Sequence, residues 1–318
     1  MARADLLVDL VDAERRGDRD RFRVLVEALI AEERAKQHHL VADRLSELIT
    51  ATGQNAPRDA HTETVGDLVQ QIVPQRRLED LELAAVPRRL LAELVEEHKR
   101  SDLLRSYGIE PRNRILLSGP PGNGKTSVAE AIAAELMLPL YVVRYEGVVS
   151  SFLGETAARL DSVFEFARTR RCVLFFDELD SIAKERSDAH ETGKIKRVVS
   201  TLLLQIDRLP PHVLLVGASN HSELLDRAAW RRFQIRAELS PPSRAQATRF
   251  LERLSARLGG DLGYSPRTLA DKLAGASFSE LEEFALDVRR RMILELPDGD
   301  SRRIAQERLE HRRTEVVG

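Results

Sequence analysis

The sequence predicts an α/β protein, with a three-layer αβα domain built on a mostly parallel sheet and an all-helical module at each end. Three observations predict it. Short β-rich runs alternate with helical stretches between about residues 75 and 240. Residues 1–52 and 241–318 show helical apolar spacing instead. One strand-to-helix junction is a glycine-rich turn at residues 119–124.

The N-terminal module carries apolar residues at helical intervals: Leu6, Leu7, Leu10 and Val11, then Phe22, Leu25, Val26, Leu29 and Ile30, then Leu40, Val41, Leu45, Leu48 and Ile49. Gly17-Asp18 is a natural break, with Asp18 capping the next helix. Residues 53–74 read as a linker, because Gly53–His61 has turn residues and no apolar period. In the central domain, 75–240, the expected strands are Ile115–Ser118, Tyr141–Arg144, Cys172–Asp177, Val213–Ala218 and Gln234–Leu239. Helices fit Thr126–Met137, Glu155–Arg168 and Lys194–Ile206. Alternation of this kind implies right-handed crossovers and helices on both sheet faces, with ligands at the carboxyl ends of the strands. Residues 241–318 read as a four-helix lid: Ser243–Leu258, Pro266–Leu273, Ser277–Leu294 and Ser301–Arg313.

Bulk properties narrow the function. The 318 residues carry a net charge of −2, which weighs against broad nucleic-acid binding. A single cysteine, Cys172, rules out an internal disulfide and points to a reducing, cytoplasmic setting. No apolar run approaches a membrane span, and the N-terminus lacks a signal-peptide core.

Gly119-Pro120-Pro121-Gly122-Asn123-Gly124-Lys125-Thr126 satisfies G-x-x-x-x-G-K-[ST], and it lies where that pattern requires, after a strand and before a helix. The glycines let successive N–H groups face phosphate oxygens, and the helix N-terminus adds its positive end. Lys125 is expected on the β- and γ-phosphates, Thr126 on Mg²⁺, and Ser127 beside them, so the ligands expected are ATP and Mg²⁺. The apolar strand Cys172–Phe176 ends in Asp177 and Glu178. Asp177 suits the magnesium shell through water, and Glu178 suits the base that activates the attacking water. A second apolar strand ends in Ser219-Asn220, where an amide can bond the γ-phosphate or that water.

Together these residues resemble the AAA branch of the AAA+ ATPases, from about Leu78 to Leu294. The resemblance implies an αβα P-loop domain with a helical lid, and nucleotide in the cleft between them. It also implies a pore loop at Phe152-Leu153-Gly154, with Phe152 gripping a protein substrate, and a second pore loop at Asp188–Gly193. The segment Leu225–Phe233 departs from the branch, lacking its Pro-Gly and running about two residues short. The resemblance implies that Arg231, Arg232 or both reach the neighbouring subunit's γ-phosphate. In the lid turn Gly275–Leu281, Phe278 replaces a glycine near the nucleotide. A weaker resemblance links the chain to small bacterial AAA ATPases found beside subtilisin-like proteases.

The expected function is therefore a ring of identical subunits, a hexamer by resemblance. It would remodel a protein recruited by the N-terminal helices, with a protease as one possible partner. The alternative is an ATP-controlled switch that docks a partner enzyme without threading. A nucleic-acid loader fits the charge balance least.

Overall fold

The computed structural model describes residues 68–144, 153–180, 192–221, 225, 227–296 and 299–317, together with Leu25, Val26, Leu29 and Gly66. Side chains at 153–154, 192–197 and 313–317 are not described. The chain divides into two compact units, Met1–Ala60 and His61–Gly318. The expected N-terminal helices, Phe152 and the segment Asp188–Gly193 lie wholly or almost wholly outside the described residues.

The second unit contains six strands, β1 Val69–Ile72, β2 Arg114–Ser118, β3 Leu140–Val143, β4 Cys172–Phe176, β5 Val213–Ser219 and β6 Ile235–Glu238. They form one sheet in the order β1-β3-β4-β5-β2-β6. All pairs are parallel except β1 with β3. Helices alternate with the strands: α1 Ala85–Lys99, α2 Ser101–Ser106, α3 Lys125–Leu136, α4 Leu153–Arg168, α5 Thr192–Asp207 and α6 Arg227–Arg232. Four more follow, α7 Arg244–Leu258, α8 Pro266–Lys272, α9 Phe278–Leu294 and α10 Ser301–Val317.

The period of two along each strand sends neighbouring side chains to opposite faces. Leu116, Leu174 and Leu215 pack beneath α4 and α5 with Leu160, Phe164, Val199 and Leu202. Ile115, Leu117, Val173, Phe175, Leu214 and Val216 pack on the other face with Leu91 and Leu94 of α1 and Val128 and Ile132 of α3. Both faces being covered, β4 and β5 are buried along their whole length, which is why they read as continuous apolar runs. Cys172 is buried on β4, and burial pushes its thiol up to about 11. A third core, drawn from Ala247 to Leu309, belongs to the four C-terminal helices alone.

Three elements differ from expectation. The helix Leu90–Leu104 that the family resemblance implies begins earlier and is two helices, broken at Arg100, whose backbone leaves the helical region at φ −113°, ψ 28°. Strand β1 lies inside the expected linker 53–74, which is therefore shorter, because Val69–Ile72 pairs with β3. Helix α6 was not expected. Among the described residues, no helix is long and apolar enough to cross a membrane.

Phe164 fixes α4 to the sheet by stacking on Phe176 at 5.5 Å between ring centres, and it is fully buried. Phe164→Ala should cost about 3–5 kcal/mol. Urea denaturation should show a lower midpoint with an unchanged slope.

Candidate nucleotide site

In the sheet β5 lies between β4 and β2, so their carboxyl ends are neighbours. Those ends carry the acidic pair, Asn220 and the glycine-rich turn respectively. Register makes Ser118 and Ser219 partners, and the Gly119 N–H donates to the Ser219 carbonyl at 3.2 Å. The first residue of the turn is thus pinned one position away from Asn220.

Gly119, Gly122 and Gly124 all have positive φ, which coils the turn around an open centre. Gly124 sits at the N-cap of α3 and provides no side-chain cap. The first N–H groups of α3 therefore lack a capping partner, as an anion-binding helix end requires. Lys125 is 7% exposed, and its ammonium donates to the carbonyls of Gly119 (2.7 Å) and Pro120 (3.1 Å). Burial pushes its pKa down, while the charges of Asp177 and Asp180 push it back up. Asn123 braces the turn by donating to the carbonyls of Pro120 (3.3 Å) and Pro121 (3.4 Å).

Asp177 and Glu178 are exposed at the end of β4. Glu178 is left-handed at φ +49°, and its N–H donates to Asp177 Oδ1 at 2.9 Å. A non-glycine residue in that region is uncommon; among the described residues only Met137, at the C-cap of α3, shares it. The Asn220 side-chain oxygen is buried with no hydrogen-bond partner among the described residues. Thr126 is exposed on the first turn of α3. Thr126 and Asp177 offer the oxygen donors that Mg²⁺ takes. Among the described residues, no cluster of three or more His, Cys, Asp or Glu forms a ready-made metal site. Ser127 is engaged differently, its hydroxyl accepting from Arg76 at 2.5 Å.

The lid reaches the turn directly. The Ser279 N–H donates to the Gly122 carbonyl at 3.0 Å, so the start of α9 sits on the glycine-rich turn. Ser277 caps α9 by a reciprocal bond with Glu280. Phe278 packs against Phe250 of α7, ring centres 5.1 Å apart. A second tie was not visible in the sequence. Glu82, whose side chain is 8% exposed, accepts from Arg249 (2.8 Å) and Arg253 (2.5 Å) of α7. The only hint in the sequence was the four-residue spacing of those arginines, which puts them on one helix face.

The two candidate arginines separate. Arg232 is held by Asp207 at the end of α5 (Nε 2.9 Å) and by the Ala228 carbonyl (2.8 Å). Arg231 is exposed and makes no ion pair among the described residues. Leu153 and Gly154 open α4.

A glycine-rich turn opening a helix beside two acid- and amide-tipped parallel strands defines a P-loop nucleotide-binding αβα domain. Comparison with known proteins narrows the class. The profile of "ATPase family associated with various cellular activities (AAA)" matches residues 115–241. The chain is 38% identical over 303 residues to "Uncharacterized AAA family ATPase y4kL" of Sinorhizobium fredii, covering 93% of this chain and 91% of that protein. It is 42% identical over 132 residues to the peroxisomal ATPase pex6 of Schizosaccharomyces pombe, covering 40% of this chain but only 14% of that protein. In fold it is similar to the FIGL-1 AAA domain, with TM-score 0.64 and 21% identity, covering 81% of this chain and 92% of that one. The chain belongs to the AAA family of ATPases.

Gly122 tests the turn. A methyl there would lie 2.6 Å from Ser277 Oγ, at φ +75°. The left-handed backbone alone costs about 1–2 kcal/mol for alanine, about tenfold in affinity. Gly122→Ala should weaken ATP binding by at least that factor in calorimetry. Adding Ser277→Gly should recover part of the loss, by removing the colliding side chain.

Proposed function

We propose that the chain is an ATP-driven protein remodeller that works as a ring, a hexamer by family resemblance, with each ATP site completed by a neighbouring copy. The observation that carries this reading is the contrast between Arg231 and Arg232. Arg232 is occupied by Asp207 in its own chain. Arg231 stands exposed near the start of β6 with no counter-charge among the described residues, free to act on another subunit's nucleotide.

In this reading the chain's own groups divide the work. The N–H groups of the turn and of the start of α3 bind the phosphates, and Lys125 leaves the Gly119 and Pro120 carbonyls to meet them. Thr126 and Asp177 would hold Mg²⁺, which supplies charge neutralisation between the phosphates. Glu178 accepts the proton of the attacking water, and Asn220 orients that water. Phe152 grips the protein substrate, recruited by the helices of residues 1–52 in a cytoplasmic setting; a linker that ends before β1 at Val69 joins them to the ATPase domain, which is followed by the lid at 241–318. The substrate in this reading is a protein, with a protease as a candidate partner.

Two measurements test this. Phe152→Ala should leave ATP turnover within about twofold and abolish unfolding of a partner captured by the ATP-loaded Glu178→Gln variant. If unfolding survives, or if the captured partner is never unfolded by the wild type, the protein is a switch. Separately, Arg231→Ala should reduce turnover by about 10³-fold or more. Arg232→Ala should lose only a surface ion pair, about 0.2–1 kcal/mol of stability. Turnover kinetics and melting curves on the two variants separate these roles, and equal loss of turnover in both would refute the assignment.

A further inference from the structure

The end of β4 carries a third acid beyond the exposed pair. Asp180 is 2% exposed, whereas Asp177 and Glu178 face solvent. It makes no direct ion pair among the described residues. A buried carboxylate is costly unless hydrogen bonds or a nearby cation offset it.

The backbone is built to hold Asp180 inside. Glu178, left-handed at φ +49°, turns the chain back toward the sheet. Leu179 then enters a gap that only glycine leaves on β5: a Cβ on Gly217 would lie 3.1 Å from both Leu179 Cδ2 and Phe233 Cζ. This lodges residue 180 beneath the carboxyl end of β5, where the Asn220 main-chain N–H approaches Asp180 Oδ1 at 3.4 Å. The Asn220 side-chain oxygen, on the same residue, is buried and unpartnered among the described residues. Asn220 is therefore held by its backbone while its amide is left available.

We propose that Asp180 is a positioning residue for ATP hydrolysis, fixing the main chain of Asn220 so that the Asn220 amide is aimed at the reacting water. The geometry joins β4 to β5 at the site: the strand that delivers Glu178 also sets the orientation of the group on its neighbour. This rests on the hydrolysis reading above and adds a residue to it. Lys125 lies close enough to feel the Asp180 charge, so the same carboxylate also balances the buried ammonium.

The test is a double-mutant cycle read in kcat and KM separately. Asp180→Ala should lower kcat by about 10²-fold, as expected for about 1 Å of misplacement at the reacting centre. The KM for ATP should change by less than about threefold. Asp180→Asn keeps an oxygen that can accept the Asn220 N–H and should recover most of kcat. In an Asn220→Ala background, Asp180→Ala should cause little further loss, because its effect passes through Asn220. Binding of a fluorescent ATP analogue confirms that each variant is folded; if Asp180→Ala does not fold, Asp180→Asn and Asp180→Ser carry the cycle. Additive losses in the double variant, or an unchanged kcat in Asp180→Ala, overturn the proposal. A wild-type protein that binds ATP without turning it over refutes the hydrolysis reading instead, so the two failures are told apart.

Discussion

Everything in this protein's candidate site depends on the burial of β5. Its seven residues, Val213–Ser219, are buried throughout and pair on both sides, with β4 and β2. A strand buried on both faces has room only for apolar or small side chains, so polar chemistry must wait until the strand ends. Ser219 and Asn220 come at that end, and the neighbouring strands place their own polar residues at the same level. The parallel register converts one requirement of packing into three adjacent chemical groups: the glycine-rich turn after β2, the acids after β4 and the amide after β5. Strands running in opposite directions would have sent the acids and the turn to opposite edges of the sheet.

The lid is joined to this edge by short-range contacts rather than by a broad apolar seam. The cores of the sheet and of the four C-terminal helices are separate. Between them, the Ser279 N–H meets the Gly122 carbonyl, and Glu82 receives two arginines of α7. One contact lies on the phosphate turn and the other on the segment leading into α1. Polar contacts of this kind are directional and can be exchanged for bonds to a ligand at modest cost. The Glu280 that caps Ser277 is itself paired with Arg312 of α10, at 2.6 Å. A displacement of the phosphate turn is therefore linked to the last helix through a single capping turn.

The central fold was legible because its residues obey local rules. Strands β2 to β6 and the helices after them follow periodicity, and the turn after β2 follows a spacing with a known physical purpose. What escaped depended on pairing that the local sequence does not encode. Strand β1 contributes Val69-Gln70-Gln71-Ile72 at the sheet edge, where the glutamines face outward, so its pattern is short and weak. Glu82 looks like any surface acid until α7, more than 160 residues later, brings Arg249 and Arg253 to it. Asp180 sits two residues beyond the acids that the motif marks, and its burial and the packing of Leu179 against Gly217 show that it turns inward. Arg231 and Arg232 were equivalent as letters; Asp207, at the end of a different helix, distinguishes them.

Charge bears on the proposal that a neighbouring copy completes each site. Near the glycine-rich turn one ammonium, Lys125, feels the charges of Asp177 and Asp180, and Arg76 donates to Ser127 on the first turn of α3. The N-terminus of α3 adds about half a positive charge. A nucleoside triphosphate would bring several negative charges to that place. Favourable binding, and still more the charge that develops in phosphoryl transfer, then requires cations that these groups do not supply. Mg²⁺ is one such source, and Thr126 and Asp177 offer it ligands. In the proposed ring, an arginine lent by a neighbouring copy would be another, and turnover would then depend on assembly. In the proposed ring the Arg232–Asp207 pair has a structural part only: it anchors the end of α6 and occupies one of two adjacent arginines, which leaves Arg231 as the group to be lent.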